Sequence, residues 1–532
     1  MASSHPELSR FCEIIKKSKP LGDGNPTRYQ LQKMDNTDQC PSYKKIYLGE
    51  RNQQKPHKII LMVGETGTGK TTMINTMMNY MLDVKREDKV WFEITDDQSD
   101  RTQAHSQTSR ITVYGFYLQE SSIDLTIIDT PGYGDTRGIN LDKEIAVSLL
   151  DLSKSAEDIH EIHAVCLVMM AQQIRLSDRQ QYIFDAVQSL FGNDIAENIV
   201  LLFTNSNGKR PNLALAAVKE AEIKCAVNDK NQPVFFLFDN CQSDTYDEDD
   251  EQDAEHEKIC NQSFKLSFRG MAQLFKFLDT IQPKSLQRTQ NVLQKRKQLE
   301  ANVSNLRLRV QMMELKQNEL KQTQEALEEN KQDVKENKNF EYEVDVPYKV
   351  KVDIDPSKAS MAMCCTVCEE NCHYPGCWWV SNISWCSVMK NDHCTVCTKK
   401  CKYTEHVKHP KIYQISTKKE KRTYEDLKKK YEDKIGDCVF VVKKLKEELH
   451  ELEKEKIKLV NEAFHCVQTL QEIALNADSA FTLQHIDFLI EKLKEIKEPE
   501  KAKTLENIKK RAGEEKHGAL DYISRILKIT LK

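Results

Sequence analysis

Residues 58–72 read KIILMVGETGTGKTT. Ile59 to Val63 run without a polar break, as in a strand buried on both faces of a parallel sheet. Gly64, Glu65, Thr66, Gly67, Thr68, Gly69, Lys70 and Thr71 then fit G-x-x-x-x-G-K-[ST] in full, with Thr72 completing the stretch. Glycines at these places let consecutive backbone N–H groups turn onto phosphate oxygens. Lys70 brings charge to β/γ-phosphates, and the Thr71 hydroxyl is a ligand for Mg2+. The helical stretch Thr72–Leu82 follows, and its Met73, Met77, Met78 and Met81 read as core packing rather than a metal box.

A second motif, Ile127-Ile128-Asp129-Thr130-Pro131-Gly132, ends a strand candidate further along. Asp129 is placed to hold Mg2+ through water, and the Gly132 N–H to meet a γ-phosphate. The loop that follows is then a nucleotide-sensing switch. DTPG favours GTPases over ATPases, and Asp129-Thr130 lacks the adjacent glutamate of an ATP-driven motor. GTP/GDP with Mg2+ is the expected cofactor set. Strand candidates at 59–63, 110–118, 123–129, 163–170, 198–204 and 233–239 alternate with helical stretches, the pattern of a mostly parallel six-stranded α/β sheet.

The bulk numbers narrow the rest. A chain of 532 residues is too long for one core. Charged residues make up 30% yet cancel to −4, so net charge implies no nucleic-acid partner. Twenty-residue apolar runs are missing, and the N-terminus lacks the apolar core of a signal peptide, so a cytoplasmic protein is expected. Peripheral membrane contact stays open. The run Asp247–Glu251 reads as a solvated acidic loop.

The block 58–282 resembles the AIG-type (GIMAP/IAN-like) GTPases of the septin–Toc branch. The resemblance is carried by GETGTGKTT (64–72), IDTPGYGDT (128–136) and RLSDRQQYIFDAVQSLFGNDIAENIVLLFTN (175–205). It covers less than half the chain, and the AVQSLFG stretch separates it from septins. It implies a P-loop G domain, a switch I threonine on Mg2+ (Thr108, with Thr102 the second choice), and an immune or membrane-associated role. Relatives end the base-recognition strand with [NT]-K-x-D, whereas this chain has Thr204-Asn205-Ser206-Asn207. An amide offers one acceptor and one donor where the carboxylate offers two acceptors, which weakens guanine pairing. Asn240 sits where the family places an asparagine near the base. Tyr133 stands where some small GTPases carry a water-positioning glutamine, so catalysis would need a partner's group or be slow. Arg137 is a weak candidate for such a group.

Past Pro283 the composition changes. From 285 to 338 glycine and proline vanish, and Leu299, Val303, Leu306, Val310, Met313, Leu320, Leu327 and Val334 alternate by three and four, the seam of a coiled coil. A strict period-two strand covers 340–354. Nine of 17 cysteines then fall between Cys364 and Cys401. There Cys365-Thr-Val-Cys368-x3-Cys372 is echoed by Cys394-Thr-Val-Cys397-x3-Cys401, a pattern for structural Zn2+, with disulfides and free thiols as the alternatives. Cys364, Cys377, Cys386, His393, His406 and His409 are further ligand candidates. A strand candidate (409–417) and a second long helix lead to a C-terminal helical segment. The expected domains are a lead-in (1–57), a G domain (58–282), a coiled coil (285–338), a zinc-type module (340–417), a return coiled coil (420–465) and a helical segment (466–532). The two long helices are expected to pair antiparallel with the cysteine module capping their turn. The function expected is a slowly hydrolysing GTP-binding switch or assembly protein. It would be a homo-oligomer through G domain and coiled coil, acting on a protein partner that the sequence does not identify. The alternatives are a nucleotide-bound scaffold with negligible hydrolysis, and loose base specificity.

Overall fold

Eight strands share one sheet in a computed structural model of the chain. The structure describes residues 11–22, 24–31, 34–35, 43–94, 111–133, 145, 148–149, 152, 159–172, 177–241, 253–336, 338–356, 359–374, 382–386, 388–426, 438–512 and 519–523. The strands are β1 (Met34–Asp35), β2 (Tyr43–Gly49), β3 (His57–Gly64), β4 (Ile111–Tyr117), β5 (Asp124–Asp129), β6 (Ala164–Met170), β7 (Ile199–Thr204) and β8 (Phe235–Leu237), in the spatial order β8-β7-β6-β3-β5-β4-β2-β1. All pairings are parallel except β4–β5 and β1–β2. Only residues 118–123 separate β4 from β5, too few for a crossover, so this pair is a hairpin.

Among the described residues the sheet therefore has eight strands rather than six, and is mixed. The six expected strands are present, and β2 adds to the edge of β4 with β1 beyond it. A separate sheet joins Lys19–Gly22, Thr27–Gln30 and Val90–Glu93, where Trp91 and Phe92 are buried. Residues upstream of 58 thus belong to the same folded unit as the strand of the phosphate motif.

Alternation within β3 shows why its apolar run is unbroken. Ile59, Leu61 and Val63 enter one core, with Leu201 and Phe203 of β7. Ile60 and Met62 enter the other, with Val200 and Leu202. Both faces of the strand are covered, which requires apolar residues at every position. Helix α1 (Lys70–Met81) lies on the second core through Met73, Ile74, Met77, Met78 and Met81. Helices α2 (Asp178–Ser189), α3 (Asn212–Glu220) and α4 (Asp253–Thr280) follow.

His163, just before β6, is buried and accepts the Ile59 N–H at Nδ1 (3.2 Å), a bond only a neutral ring makes. Burial pushes its pKa down to about 4 from an ordinary 6.5. Between those values the unfolded chain binds a proton that the folded chain refuses. The contribution is complete above pH 6.5 and is lost as pH falls towards 4, by about 3 kcal/mol. Denaturant midpoints of wild type and His163→Gln at pH 7.5, 6 and 5 should converge on acidification; parallel curves would exclude His163 as the source.

This unit comprises 1–293, 473–481 and 512–532. Its late segment docks on the stretch that carries the family resemblance. The Leu475 N–H donates to Phe191 O (2.9 Å), and Asp185 accepts from Asn476 Nδ2 and the Ala480 N–H, each at 2.8 Å.

The second unit comprises 294–472 and 482–511. Helix α5 (Gln287–Glu329) supplies most of its first helix, and α6 (Cys438–Ile473) returns beside it. Asn302 meets Cys466, Arg309 meets Glu455 (2.8 Å) and Lys316 meets Glu448 (3.3 Å), so the helices run antiparallel. Helices α7 (Ile486–Glu495) and α8 (Pro499–Ala512) pack on α6, where Lys501 Nζ donates to Asn461 Oδ1. Between α5 and α6 lie β9 (Glu341–Asp353), β10 (Ala362–Cys365), β11 (Glu370–His373), β12 (His406–His409) and β13 (Lys411–Thr423). β9 and β13 form a two-stranded antiparallel ribbon from Glu341↔Thr423 to Asp353↔Lys411.

The cysteine module does not cap the helical turn. The ribbon folds back along α5, with Arg422 on Glu319 (2.9 Å) and Gln322 on Asp345 (3.1 Å). Its 13 residues reach roughly 43 Å at about 3.3 Å per residue, the length of about 28 helical residues. That returns the module from Glu329 to the neighbourhood of residue 301. There Gln298 Nε2 donates to Thr395 O (3.2 Å), and Lys400 pairs with Glu462 of α6 (2.6 Å). The apolar seam of α5 changes cover accordingly. Leu299, Val303 and Leu306 are buried, whereas Leu327 packs on Tyr342, Val344 and Tyr424 of the ribbon side.

Candidate functional site

β3 ends at Gly64, where an added Cβ would lie 2.5 Å from Val168 O of β6. Gly67 and Gly69 both sit at φ +84°, the left-handed region, and Gly69 caps the start of α1. Thr68 Oγ1 donates to Glu65 O (2.8 Å), and Thr204 Oγ1 to Thr68 O (2.8 Å), which pins the loop to the end of β7. Asn75 and Asn79 hold α1 in place by accepting the Ile94 and Phe92 N–H groups. Lys70, the first residue of that helix, is 8% exposed. Its Nζ donates to Gly64 O (3.0 Å) and Glu65 O (3.1 Å). Burial pushes its pKa down to about 8, against the pull of Asp129 and Glu65. Burial likewise raises Glu65, opposed by Arg179 of α2 at 3.3 Å and by Lys70.

Asp129 ends β5 at 1% exposure, one strand across from the loop. Thr130 Oγ1 donates to Met62 O (2.9 Å). The next residues lie directly on the phosphate loop: the Tyr133 N–H donates to Gly64 O (3.1 Å) and the Thr66 N–H to Tyr133 O (3.3 Å). A Cβ on Gly132 would stand 2.3 Å from Thr66 Oγ1 and 2.7 Å from Thr66 N, so only glycine allows this approach. The Tyr133 ring is 1% exposed within the core, away from any role in placing a water.

On the base side, Asn205 is exposed at φ +50°. Asn207 is exposed too, and its Oδ1 accepts the Lys209 N–H (3.1 Å), so its acceptor already closes its own turn. Asn240 differs. Its Nδ2 lies 3.8 Å from where a Gly69 Cβ would be, and neither amide atom has a hydrogen-bond partner among the described residues.

The structure thus gathers residues 64–72, Asp129, Gly132 and Asn240, with Asn205 and Asn207 on the neighbouring loop. Thr102, Thr108 and Arg137 lie outside the described residues, as does the acidic run 247–251. Sequence reasoning missed Arg179 and the loop-pinning hydroxyl of Thr204. Both stood in quoted stretches, but only the strand order carries them to the phosphate loop.

In the second unit Cys365, Cys368, Cys397 and Cys401 converge, as do Cys372, Cys394, Cys397 and His406. The other described candidate ligands lie outside these two groups. The Cys364 thiol faces Asn371 Oδ1 (3.4 Å), His393 Nδ1 lies 2.9 Å from Asn391 O, and His409 Nδ1 accepts the Lys411 N–H. Cys386 lies 3.1 Å from His373. Cys377 is outside the described residues.

Comparison with known proteins places the first unit. The AIG1 family model matches residues 58–265. Those residues are an AIG1-family domain. Immune-associated nucleotide-binding protein 10 of Arabidopsis thaliana is 28% identical over 155 residues, 29% of this chain and 28% of that protein. Protein 9 of the same series is 26% identical over 158 residues, 29% of this chain and 39% of that one. Mouse neuronal-specific septin-3 is 33% identical over 78 residues, 14% of this chain and 19% of its own. The AIG1-domain chain thus spans less than half the length of these relatives. Among solved structures, Toc33 from Arabidopsis thaliana in complex with Mg2+ and GMPPNP aligns at 16% identity with a TM-score of 0.23, covering 35% of this chain and 72% of that one. Its complex with GDP and Mg2+ aligns at 14% identity and a TM-score of 0.26, covering 40% and 85%. Among the described residues no helix is long and apolar enough to cross a membrane.

Proposed function

We propose that the protein is a GTP-binding switch whose AIG1 domain reads the phosphate through the 129–133 loop. The carrying observation is the direct backbone pairing of Thr66 and Gly64 with Tyr133, with Gly132 packed on Thr66. A nucleotide on the phosphate loop would have to be accommodated by this pairing, which couples occupancy to the 129–133 loop. The residues present fit such a ligand. Lys70 is a buried cation with carbonyls for partners, and Thr66 Oγ1 and both Asn240 amide atoms are buried polar atoms left for one. Gly64–Thr72 would hold the phosphates and Asn240 the base, with Thr71, Asp129 and Thr108 as the Mg2+ set. The metal would supply charge neutralisation at the phosphates.

Hydrolysis on this reading is slow or needs a second molecule, because Tyr133 is committed to the core and Arg137 remains only a weak candidate. Self-association through the AIG1 domain would supply the missing group. The antiparallel α5–α6 pair is read as a coiled-coil arm towards partners, and the cysteine module as a structural zinc unit. A scaffold with loose base specificity is the second reading, favoured by the Asn207 acceptor already being used in its own turn.

A panel of Mg2+ with GTP, GDP, ATP and XTP separates these readings. The switch predicts GTP and GDP binding with turnover that rises more than linearly with protein concentration. Tight binding with no turnover, or equal affinity for all bases, would favour the scaffold. ATP turnover without GTP turnover would defeat both.

A further inference from the structure

The two groups of metal-ligating side chains share one residue. Cys365, Cys368, Cys397 and Cys401 have ligand atoms within 4.8 Å of one another, and so do Cys372, Cys394, Cys397 and His406. Seven residues make seven bonds if each ligand serves one ion, whereas two tetrahedral ions require eight. We propose that the module holds two zinc ions bridged by the Cys397 thiolate, with His406 as the one nitrogen ligand; this rests on the reading of the module as a structural zinc unit.

The repeat explains the division. Each C-x2-C-x3-C unit gives its C-x2-C pair to one ion and its third cysteine to the other. Cys401 of the second unit joins Cys365 and Cys368, and Cys372 of the first joins Cys394 and Cys397. Cross-bracing of this kind gives each ion three sulfurs. His406 fills the fourth place beside Cys372 and Cys394, and Cys397 serves again beside Cys365 and Cys368.

Two independent features point to metal. His406 is 3% exposed, its Nδ1 lies 2.9 Å from Lys402 O, and its Nε2 has no hydrogen-bond partner among the described residues. A ring oriented by a carbonyl at one nitrogen and open at the other is the usual arrangement of a zinc ligand. The sulfurs also receive backbone N–H groups: Cys368 N to Cys365 (3.3 Å), Cys397 N to Cys394 (3.4 Å) and Cys401 N to Cys397 (3.2 Å). Such bonds favour thiolates. Cys368 and Cys401 stand 3.7 Å apart, outside disulfide length and within reach of one ion. Cys364, although buried next to Cys365, belongs to neither group and serves as an internal control.

The test uses the full chain, with elemental analysis and zinc-edge X-ray absorption. Two zinc ions per chain are expected, with mostly sulfur at about 2.3 Å and a minor nitrogen component near 2.0 Å. A zinc–zinc shell within about 4 Å should accompany them, as one shared sulfur dictates. Cys397→Ser should cost both ions, and His406→Ala one of the two. Cys364→Ser should keep both. Cys377→Ser should also keep both, although the 29-residue repeat makes Cys377 the counterpart of His406. Two ions without a zinc–zinc shell, or one ion lost in Cys377→Ser, would overturn the shared thiolate and leave the zinc reading standing. Near-zero zinc, or iron with visible absorbance, would overturn both. The wild-type spectrum decides the matter even where a variant fails to fold.

Discussion

Lys70→Ala is expected to lower affinity for Mg·GTP by about two to three orders of magnitude while leaving the unliganded fold intact. The two halves of that expectation have separate causes. In the unliganded chain the ammonium is buried, with Gly64 O and Glu65 O as its hydrogen-bond acceptors, and burial pushes its pKa down to about 8. Removing the cation ends its own desolvation penalty but leaves Asp129, 1% exposed, and Glu65 with less opposing charge, so the unliganded variant is expected to lose about 1–3 kcal/mol without unfolding. A bound triphosphate would replace those carbonyls with anionic oxygens. Charge-assisted bonds of that kind are worth about 1.5–3 kcal/mol each, so losing two, each taken near the lower end of that range, removes about 3–4 kcal/mol. Isothermal titration with GTP, beside thermal unfolding of the unliganded variant, reads both quantities. Unchanged affinity would refute the cradle assignment, and a collapsed unliganded fold would show that Lys70 is structural.

The phosphate loop was legible because its determinants are local. An unbroken apolar run, glycines at fixed offsets and a lysine opening a helix state a strand, a turn and an anion site with no tertiary knowledge. Asp129 and Gly132 were legible on the same ground. The base side was only half legible. The amide at 207 announces weak pairing, but its use in an Asx turn with Lys209 depends on how the loop closes. The strand at 43–49 matches the one strand expected near Tyr43–Leu48 in the lead-in, whereas the small sheet of 19–22, 27–30 and 90–93 was obscured because each of its strands is four residues long, too short for a period to show. The position of the cysteine module was illegible for a plainer reason. A palindromic order of helix, strand, cysteines, strand and helix fits a cap at the turn and a ribbon folded back equally well. Side-chain pairs such as Arg422–Glu319 decide between them, and that pair is 103 residues apart in sequence.

Arg309→Met is expected to destabilise the second unit by about 3–5 kcal/mol. Arg309 projects from α5 at 11% side-chain exposure and bridges Glu370 of β11 (2.9 Å) and Glu455 of α6 (2.8 Å). Glu370 is the more committed partner, at 6% exposure, and it also accepts the Thr398 N–H (2.8 Å) and hydroxyl (2.5 Å). Thr398 follows Cys397, so this carboxylate ties the cysteine loop to the helix. Methionine would fill the volume of the arginine stem but leave the Glu370 charge buried and uncompensated, which is the costly way to break a pair. Adding Glu370→Gln should recover about half or more of the loss, because the amide carbonyl can still accept from Thr398 with no charge left to bury. Three of the four tryptophans lie at 378, 379 and 385, so tryptophan emission in urea mainly follows this unit. A loss under about 1 kcal/mol for Arg309→Met would place the pair with solvent-screened surface bridges. A double variant no better than the single one would mean that the arginine acts by packing its stem and not by its charge. On the zinc proposal, metal content measured in both variants would further separate the two ties on this loop, since the metal would fix Cys397 from one side while Glu370 fixes Thr398 from the other.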